Sequence, residues 1–310
     1  MRQNQSLKAS SNLAAFVILI ALSLCSCVPK NKTSTRLKVV ASVPVIYDWT
    51  RSLMDESTNT RLFLNLIIKN GLNFHNLVPG ETEENLIGSA DLLIYTGGPS
   101  DSWIDDMVEK TSAVNSKRKV LRLADYISDN GENSLDPHCI LSPSIALVCC
   151  QKITEYLCLI DPENTQSYNQ FNTRYSELLS ILDSSWKIQA QRAADTTLII
   201  CDRMPLKYVF EEYGFNYIAL YDECPAPAEK PALRKISDFG YAIGVFDATA
   251  VYVFEDSDKK LAKQVIGNSK NPKCDTIVFD SMESLTLSQL FNGKKYIDIM
   301  QNNLTCMRLN

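Results

Sequence analysis

Histidine is scarce in this chain of 310 residues: there are only two, His75 and His138. No CxxC pair is present, which argues against a zinc ribbon or a thioredoxin-like centre. The chain also has no HExxH motif, no GxSxG motif and no recognisable Ser/His/Asp set. We therefore predict that it is not an enzyme, and a metallohydrolase is only a distant alternative.

An excess of positive charge is also absent. The chain has 31 Lys and Arg against 36 Asp and Glu, and removal of the N-terminal signal described below leaves 29 basic residues and a net charge of −7. Because phosphate binding needs clustered Lys and Arg, nucleic acid is not expected as a partner. The 45% of apolar residues supports sizeable cores.

The apolar run at residues 13–24 is too short to span a bilayer, which takes roughly 20 residues. It follows two basic residues and has the length of a signal-peptide core. It ends in Leu24-Cys25-Ser26-Cys27, which is similar to a bacterial lipobox. We predict a lipoprotein signal over residues 1–26 and lipid on Cys27, because bulky Leu24 makes Cys25 the poorer choice. An ordinary cleaved signal or a single membrane anchor are the alternatives.

Eight cysteines remain beyond the signal and Cys27. An even number in an oxidising compartment permits disulfides, but their pairing does not follow from the sequence. Three of them lie in an apolar helical pattern, where we expect small buried hydrophobic side chains. These are Cys149, Cys150 and Cys158, and the others are Cys139, Cys201, Cys224, Cys274 and Cys306.

Short β-branched runs alternate with helical patterns along the remaining chain. Such alternation predicts an α/β protein with parallel sheets built from βαβ units. The predicted strands are residues 37–42, 62–68, 91–95, 119–123, 196–200, 216–220, 248–254 and 275–279.

One long helix separates the two sets of strands. Asp161-Pro162-Glu163 resembles an N-cap followed by Pro at the first helical position. The next Gly or Pro is Pro205, and a helix of about 30 residues would be about 45 Å long. Its predicted apolar stripe consists of Tyr168, Phe171, Tyr175, Leu178, Leu182 and Trp186.

The predicted organisation is two βα lobes with parallel sheets, joined by one long connecting helix. A polar stretch between the signal and the first strand suits a flexible tether. The boundaries are a signal at 1–26, a tether at 27–36, an N-terminal lobe at 37–160, a connecting helix at 161–193 and a C-terminal lobe at 194–310.

Both histidines follow predicted strands, which is where open α/β sheets place ligand sites. Imidazole is a common zinc ligand, and a carboxylate can complete a tetrahedral site. Either histidine alone would more often be a surface or core residue, so a metal site needs both of them and further partners. No His-rich loop precedes His138, since residues 125–135 are polar and acidic.

Several motifs together resemble the zinc- and manganese-binding solute-receptor lipoproteins of ABC importers, over roughly residues 37–308. Their order and spacing carry the resemblance more than any single motif does. The motifs are Val39-Val40-Ala41-Ser42 with Tyr47-Asp48, His75 with Pro79, residues 90–98 with Ser100-Asp101 and Trp103, Asp136-Pro137-His138, residues 160–164 with Tyr168, and residues 296–300 with Asn303-Leu304.

The resemblance implies an exported lipoprotein at the outer face of the cytoplasmic membrane or in the periplasm. It would bind one Zn²⁺, or less favourably Mn²⁺, in a cleft between its lobes. As a monomer, it would deliver the ion to an ABC permease and its ATPase. The alternative is a surface adhesin-type lipoprotein of the same fold that has weakened or lost metal binding.

The family supplies two metal ligands from each lobe. The resemblance carries the two ligands of the first lobe onto His75 and His138. It carries the fourth ligand onto Asp280, at the end of the last predicted strand. The structural alternative for Asp280 is a helix N-cap.

The third ligand is where this sequence departs from the family, which usually has His or Glu just after the first strand of lobe two. Cys201 and Asp202 occupy this place. A Cys201 thiolate would suit zinc and disfavour manganese, whereas Asp202 would give two histidines and two carboxylates and is preferred. Their structural alternatives are a buried strand-end thiol and an ion pair with Arg203. Glu255 is a further candidate, and Glu229 is a weaker one.

Overall fold

The first parallel sheet contains the four strands predicted before the long helix. A computed structural model describes residues 36–68, 77–127, 136–221, 230–271 and 273–309. The sheet consists of β1 (Leu37–Ala41), β2 (Leu62–Leu66), β3 (Leu92–Tyr95) and β4 (Lys119–Arg122), in the order β2-β1-β3-β4. Each of these pairs is parallel. All four residues of β3 are buried, as expected of a strand covered on both faces.

The second sheet repeats this arrangement. It consists of β5 (Thr197–Ile200), β6 (Asn216–Ala219), β7 (Ala250–Phe254) and β8 (Asp275–Phe279), in the order β6-β5-β7-β8. Its pairs are also parallel. The predicted fold of two parallel α/β lobes is therefore confirmed, and each strand lies within two residues of its predicted limits.

Helices flank both sheets and connect their strands. Those of the first lobe are α1 (Pro44–Ser52), α2 (Glu56–Arg61), α3 (Glu81–Gly88), α4 (Ser102–Lys110) and α5 (Pro143–Ile160). The long helix α6 (Thr165–Arg192) is followed by α7 (Lys207–Tyr213), α8 (Leu233–Val245), α9 (Lys260–Gly267), α10 (Leu287–Phe291) and α11 (Tyr296–Cys306).

The connecting helix α6 has 28 residues, or about 42 Å at 1.5 Å per residue. A short 3₁₀ turn at Pro162–Asn164 precedes it, so Pro162 begins this turn and not the α-helix itself. At its end, Trp186 packs against the rings of Phe210, Tyr213 and Phe215 in lobe two. The prediction of one long helix between the lobes is confirmed.

The buried stripe of α6 differs from the predicted one at two positions. Asn172 and Leu179 are buried, whereas Leu178 is 49% exposed and Phe171 is only partly buried. Apolar residues spaced three or four positions apart both fit a helical period. Packing against the neighbouring helix α5 decides which of the two adjacent positions is buried. Asn172 is satisfied there, because its side-chain amide donates to Gln151 Oε1 at 2.7 Å.

Cys149 and Cys150 are buried on α5 and Cys158 is partly buried, as predicted for the first two. The seven cysteines within the described residues form no disulfide with one another, and Cys224 lies outside these residues. In the described part of the chain, α5 is the one helix whose length and composition would allow it to cross a membrane. Ile153 and Leu157 on this helix are buried in the hydrophobic core of the protein.

Candidate metal centre

A cavity of about 40 Å³ lies where strand ends of both lobes meet. From the first lobe, residues just beyond β1, β2 and β3 line it, together with a 3₁₀ turn at Pro137–Leu141. From the second lobe, the segment Ser281–Glu283 beyond β8 closes it. Parallel sheets bind ligands beyond the carboxyl ends of their strands, so this cavity is the candidate site.

His138 enters this cavity from the 3₁₀ turn of lobe one and is 7% exposed. The carboxylate of Asp136 fixes it twice, because its Oδ1 accepts from the His138 backbone N–H at 2.9 Å and lies 2.6 Å from the ring Nδ1. A histidine that is oriented through Nδ1 by a carboxylate presents Nε2 to a metal ion. The turn therefore aims one nitrogen donor into the cleft.

Glu283 of lobe two meets this nitrogen. Its Oε1 lies 2.6 Å from His138 Nε2, so the contact crosses from one lobe to the other. The Glu283 side chain is 10% exposed. An imidazole nitrogen and a carboxylate oxygen are both zinc ligands, and here they point at each other. An ion entering between them would replace the proton that they share.

The turn after β8 is what directs Glu283 into the cleft. Asp280 Oδ1 accepts from the Met282 backbone N–H at 2.8 Å, and Met282 has a φ of 64°, which is uncommon outside glycine. Ser281 is fastened by Glu255, whose two oxygens accept from the Ser281 backbone N–H at 2.9 Å and hydroxyl at 2.8 Å. Burial, together with the nearby Asp280 carboxylate, raises the pKa of Glu255.

Arg203 supports Glu283 from the side away from His138. Its guanidinium donates to Glu283 Oε2 at 2.7 Å and to Asp256 Oδ1 at 3.2 Å. Burial would lower the pKa of Arg203, but the carboxylates of Glu283 and Asp256 more than offset it, so this pKa is raised. Arg203 is therefore a permanent positive charge beside the cavity.

Of the ligands predicted from the sequence, only His138 is among the described residues that line the cavity. His75 and Glu229 lie outside the described residues. Asp280 follows β8 as expected, but its second oxygen pairs with Lys294 at 3.0 Å, and it is not among the residues that line the cavity. Instead of capping a helix, its first oxygen closes the turn at Met282.

Cys201 and Asp202 are both engaged in the structure of lobe two. Cys201 is 1% exposed, and burial raises the pKa of its thiol, which opposes formation of a thiolate. Asp202 accepts from the backbone N–H groups of Arg203 at 2.8 Å and Phe254 at 3.1 Å. The guanidinium of Arg203 pairs with Glu283 and Asp256 rather than with Asp202.

Glu283 lines the cavity and is a candidate site residue that the sequence analysis did not name. A weak signal existed, because Glu283 stands only four residues after the end of β8, in the segment that lines the cavity. Within residues 36–68, 77–127, 136–221, 230–271 and 273–309, no three His, Cys, Asp or Glu side chains converge in a way that could hold a metal ion. Within these residues, His138 and Glu283 bring one nitrogen donor and one oxygen donor together at the cavity.

Solved structures share this fold. The Zn(II)-bound ZnuA-like domain of Streptococcus pneumoniae AdcA superimposes with a TM-score of 0.72 over 87% of this chain and 97% of that domain, at 20% sequence identity. Two parallel lobes joined by a long helix are thus a fold that this chain shares with that domain.

The family model described as "Zinc-uptake complex component A periplasmic" (ZnuA) matches residues 39–308, and this chain belongs to that family. The zinc-binding lipoprotein AdcA of Streptococcus pneumoniae is 21% identical over 304 residues. That match covers 94% of this chain but only 59% of AdcA. The high-affinity zinc uptake system protein ZnuA of Bacillus subtilis is 22% identical, over 88% of this chain and 87% of its own length.

Proposed function

We propose that this chain is the extracytoplasmic solute receptor of a metal ABC importer and that it binds one Zn²⁺ in the cleft between its lobes. The contact of His138 Nε2 with Glu283 Oε1 across the cleft is the observation that carries this proposal. Membership of the zinc-uptake family and the zinc-binding names of the relatives support it. The ion is the cargo of the protein, and delivery to a permease and its ATPase is part of the proposal.

His138 and Glu283 are the proposed ligands from the described residues, and His75 is the proposed third ligand. Two nitrogens and one oxygen leave one position of a tetrahedral zinc shell for a water molecule or another carboxylate. Asp280 is the competing carboxylate from the resemblance. It already has both oxygens committed, one to Met282 and the other to Lys294.

The matched pair Glu283→Gln and Asp280→Asn decides between the two carboxylates. Zinc affinity of the metal-free full chain is measured by competition with a chelator. We expect Glu283→Gln to lose roughly a hundredfold in affinity, since removing a ligand or its orientation commonly costs that much. Asp280→Asn should stay within about threefold of the wild type, because its amide oxygen can still accept from Met282. The opposite ranking would identify Asp280 as the ligand.

The whole proposal is tested by replacing both histidines. The wild type should bind one zinc ion per chain, and the His75→Ala, His138→Ala double variant should lose most of this affinity. Full binding of one ion by the double variant would contradict the site. An adhesin-type lipoprotein without metal binding is the second candidate, and a wild type that holds no zinc after purification without chelator would favour it.

A further inference from the structure

Arg203 is a buried cation beside the cleft cavity, and the family resemblance did not lead us to expect it there. It is 7% exposed, its guanidinium lies 5.6 Å from the centre of the Phe254 ring, and it pairs with Asp256 and Glu283. A buried guanidinium is retained only when several partners offset the cost of taking it out of water. These partners therefore fix the position of the Arg203 guanidinium.

The two oxygens of Glu283 serve different partners because of this arginine. Oε1 lies 2.6 Å from His138 Nε2, on the cavity side. Oε2 accepts from Arg203 at 2.7 Å and lies 3.4 Å from the Ser281 hydroxyl. The carboxylate is thus divided between a metal-binding nitrogen on one side and a fixed cation on the other.

We propose that Arg203 determines the metal preference of the cleft by holding Glu283 Oε2, so that an incoming ion receives one oxygen from this carboxylate and not two. This inference rests on the proposed function, since it concerns the same site. Arg203 does not touch the ion. It positions Glu283 and withholds an oxygen.

The physical basis is the different coordination of the candidate ions. Zinc is satisfied by four ligands in a tetrahedron, for which a single carboxylate oxygen is enough. Manganese favours oxygen donors and an octahedral shell, so a carboxylate that binds through both oxygens serves it better. With Oε2 committed to a charge-assisted hydrogen bond, that second oxygen is costly for manganese to recruit.

The test compares zinc and manganese affinities of the full chain in competition for the wild type, Arg203→Met and Asp256→Asn. Arg203→Met removes the cation and its donors, so the preference for zinc over manganese should fall by roughly tenfold or more, about 1.4 kcal/mol. Asp256→Asn removes the negative charge that competes with Glu283 for Arg203, although its amide oxygen can still accept, so Arg203 should be held at least as firmly on Glu283. The preference for zinc should then stay the same or rise.

A second readout separates positioning from a merely structural role. X-ray absorption at the manganese edge should show more oxygen neighbours around the ion in Arg203→Met than in the wild type. An unchanged preference in folded Arg203→Met would overturn the inference, as would an Asp256→Asn variant that loses preference. A loss of zinc preference in Asp256→Asn would overturn the inference even if Arg203→Met does not fold. The Asp256 side chain is 49% exposed, so this substitution should be tolerated. A wild type that binds no zinc would instead overturn the proposed function.

Discussion

Among single residues, the acidic side chains of lobe two differ in what their oxygens already do. Asp202 has both oxygens on backbone N–H groups, and Glu255 has both on Ser281. Asp280 accepts from the Met282 backbone N–H through one oxygen and from Lys294 through the other. Glu283 alone among these four has an oxygen on a ring nitrogen of the opposite lobe. This difference in commitments, rather than distance along the sequence, selects the proposed ligand.

Cys201 and Asp202 provide a test at this scale. We expect Cys201→Ser to keep the zinc affinity of the wild type, because the Cys201 side chain is packed in the core of lobe two and is not among the residues that line the cavity. Asp202→Asn should lower the free energy of unfolding by about 1–3 kcal/mol, since its amide cannot accept from both N–H groups in the same way. Chelator competition and denaturant unfolding measure the two effects.

The cobalt-substituted protein gives an independent check on the same pair. If Cys201 is not a ligand, its spectrum lacks a thiolate charge-transfer band. A band that is present in the wild type and disappears in Cys201→Ser would make Cys201 the ligand. A large loss of zinc affinity in Asp202→Asn without a loss of stability would restore Asp202 as a ligand.

Among the elements, the strands and the long helix differ in how closely the sequence determines them. Buried parallel strands read as continuous apolar runs, which is why Leu92–Tyr95 and Ala250–Phe254 could be located. The rotation of α6 about its own axis could not be fixed, because Leu178 and Leu179 both continue an apolar period. Packing against α5 and α11 made that choice.

The adjacent leucines on α6 test this packing directly. Leu179 is fully buried, so Leu179→Ala should lower the free energy of unfolding by roughly 2–5 kcal/mol. Leu178 is 49% exposed, so Leu178→Ala should change it by less than about 1 kcal/mol. Denaturant unfolding of both variants makes the comparison. Equal costs would mean that the helix is rotated from the position described.

Candidate site residues were harder to predict than elements. His138 could be found because a histidine after a strand end has a recognisable setting, and Asp136 two residues before it fixes its ring. Glu283 reaches the cleft only because the chain turns sharply at Met282, whose φ of 64° no local pattern predicts. The partner of Arg203 likewise depends on contacts between segments 80 residues apart.

At the scale of the whole molecule, the lobes are joined by more than α6. Tyr296 of α11 donates its backbone N–H to Asp48 Oδ2 and its hydroxyl to the Leu141 carbonyl, both at 2.8 Å. Its ring also packs edge-on against Trp49. These contacts fasten lobe two to the turn that bears His138, so they help to hold the two proposed ligands at a constant separation.

Export and anchoring are proposals for the whole chain, since residues 1–35 lie outside those described. We expect Cys27→Ala to release the protein from the membrane fraction and to abolish labelling with a fatty-acid analogue. Cys25→Ala is the matched control and should remain membrane-bound and labelled. If Cys27→Ala keeps its label and Cys25→Ala loses it, the lipid is attached at Cys25.

The central claim is that one zinc ion lies between the lobes, bound by His138 and Glu283. Anomalous diffraction at the zinc edge from crystals of the zinc-loaded protein tests it most directly. We expect a single strong peak within about 2.0–2.2 Å of both His138 Nε2 and one Glu283 oxygen, the usual zinc–ligand distances. A peak bound by Asp280, Asp202 or Cys201 without Glu283, or no peak in the cleft, would contradict the account.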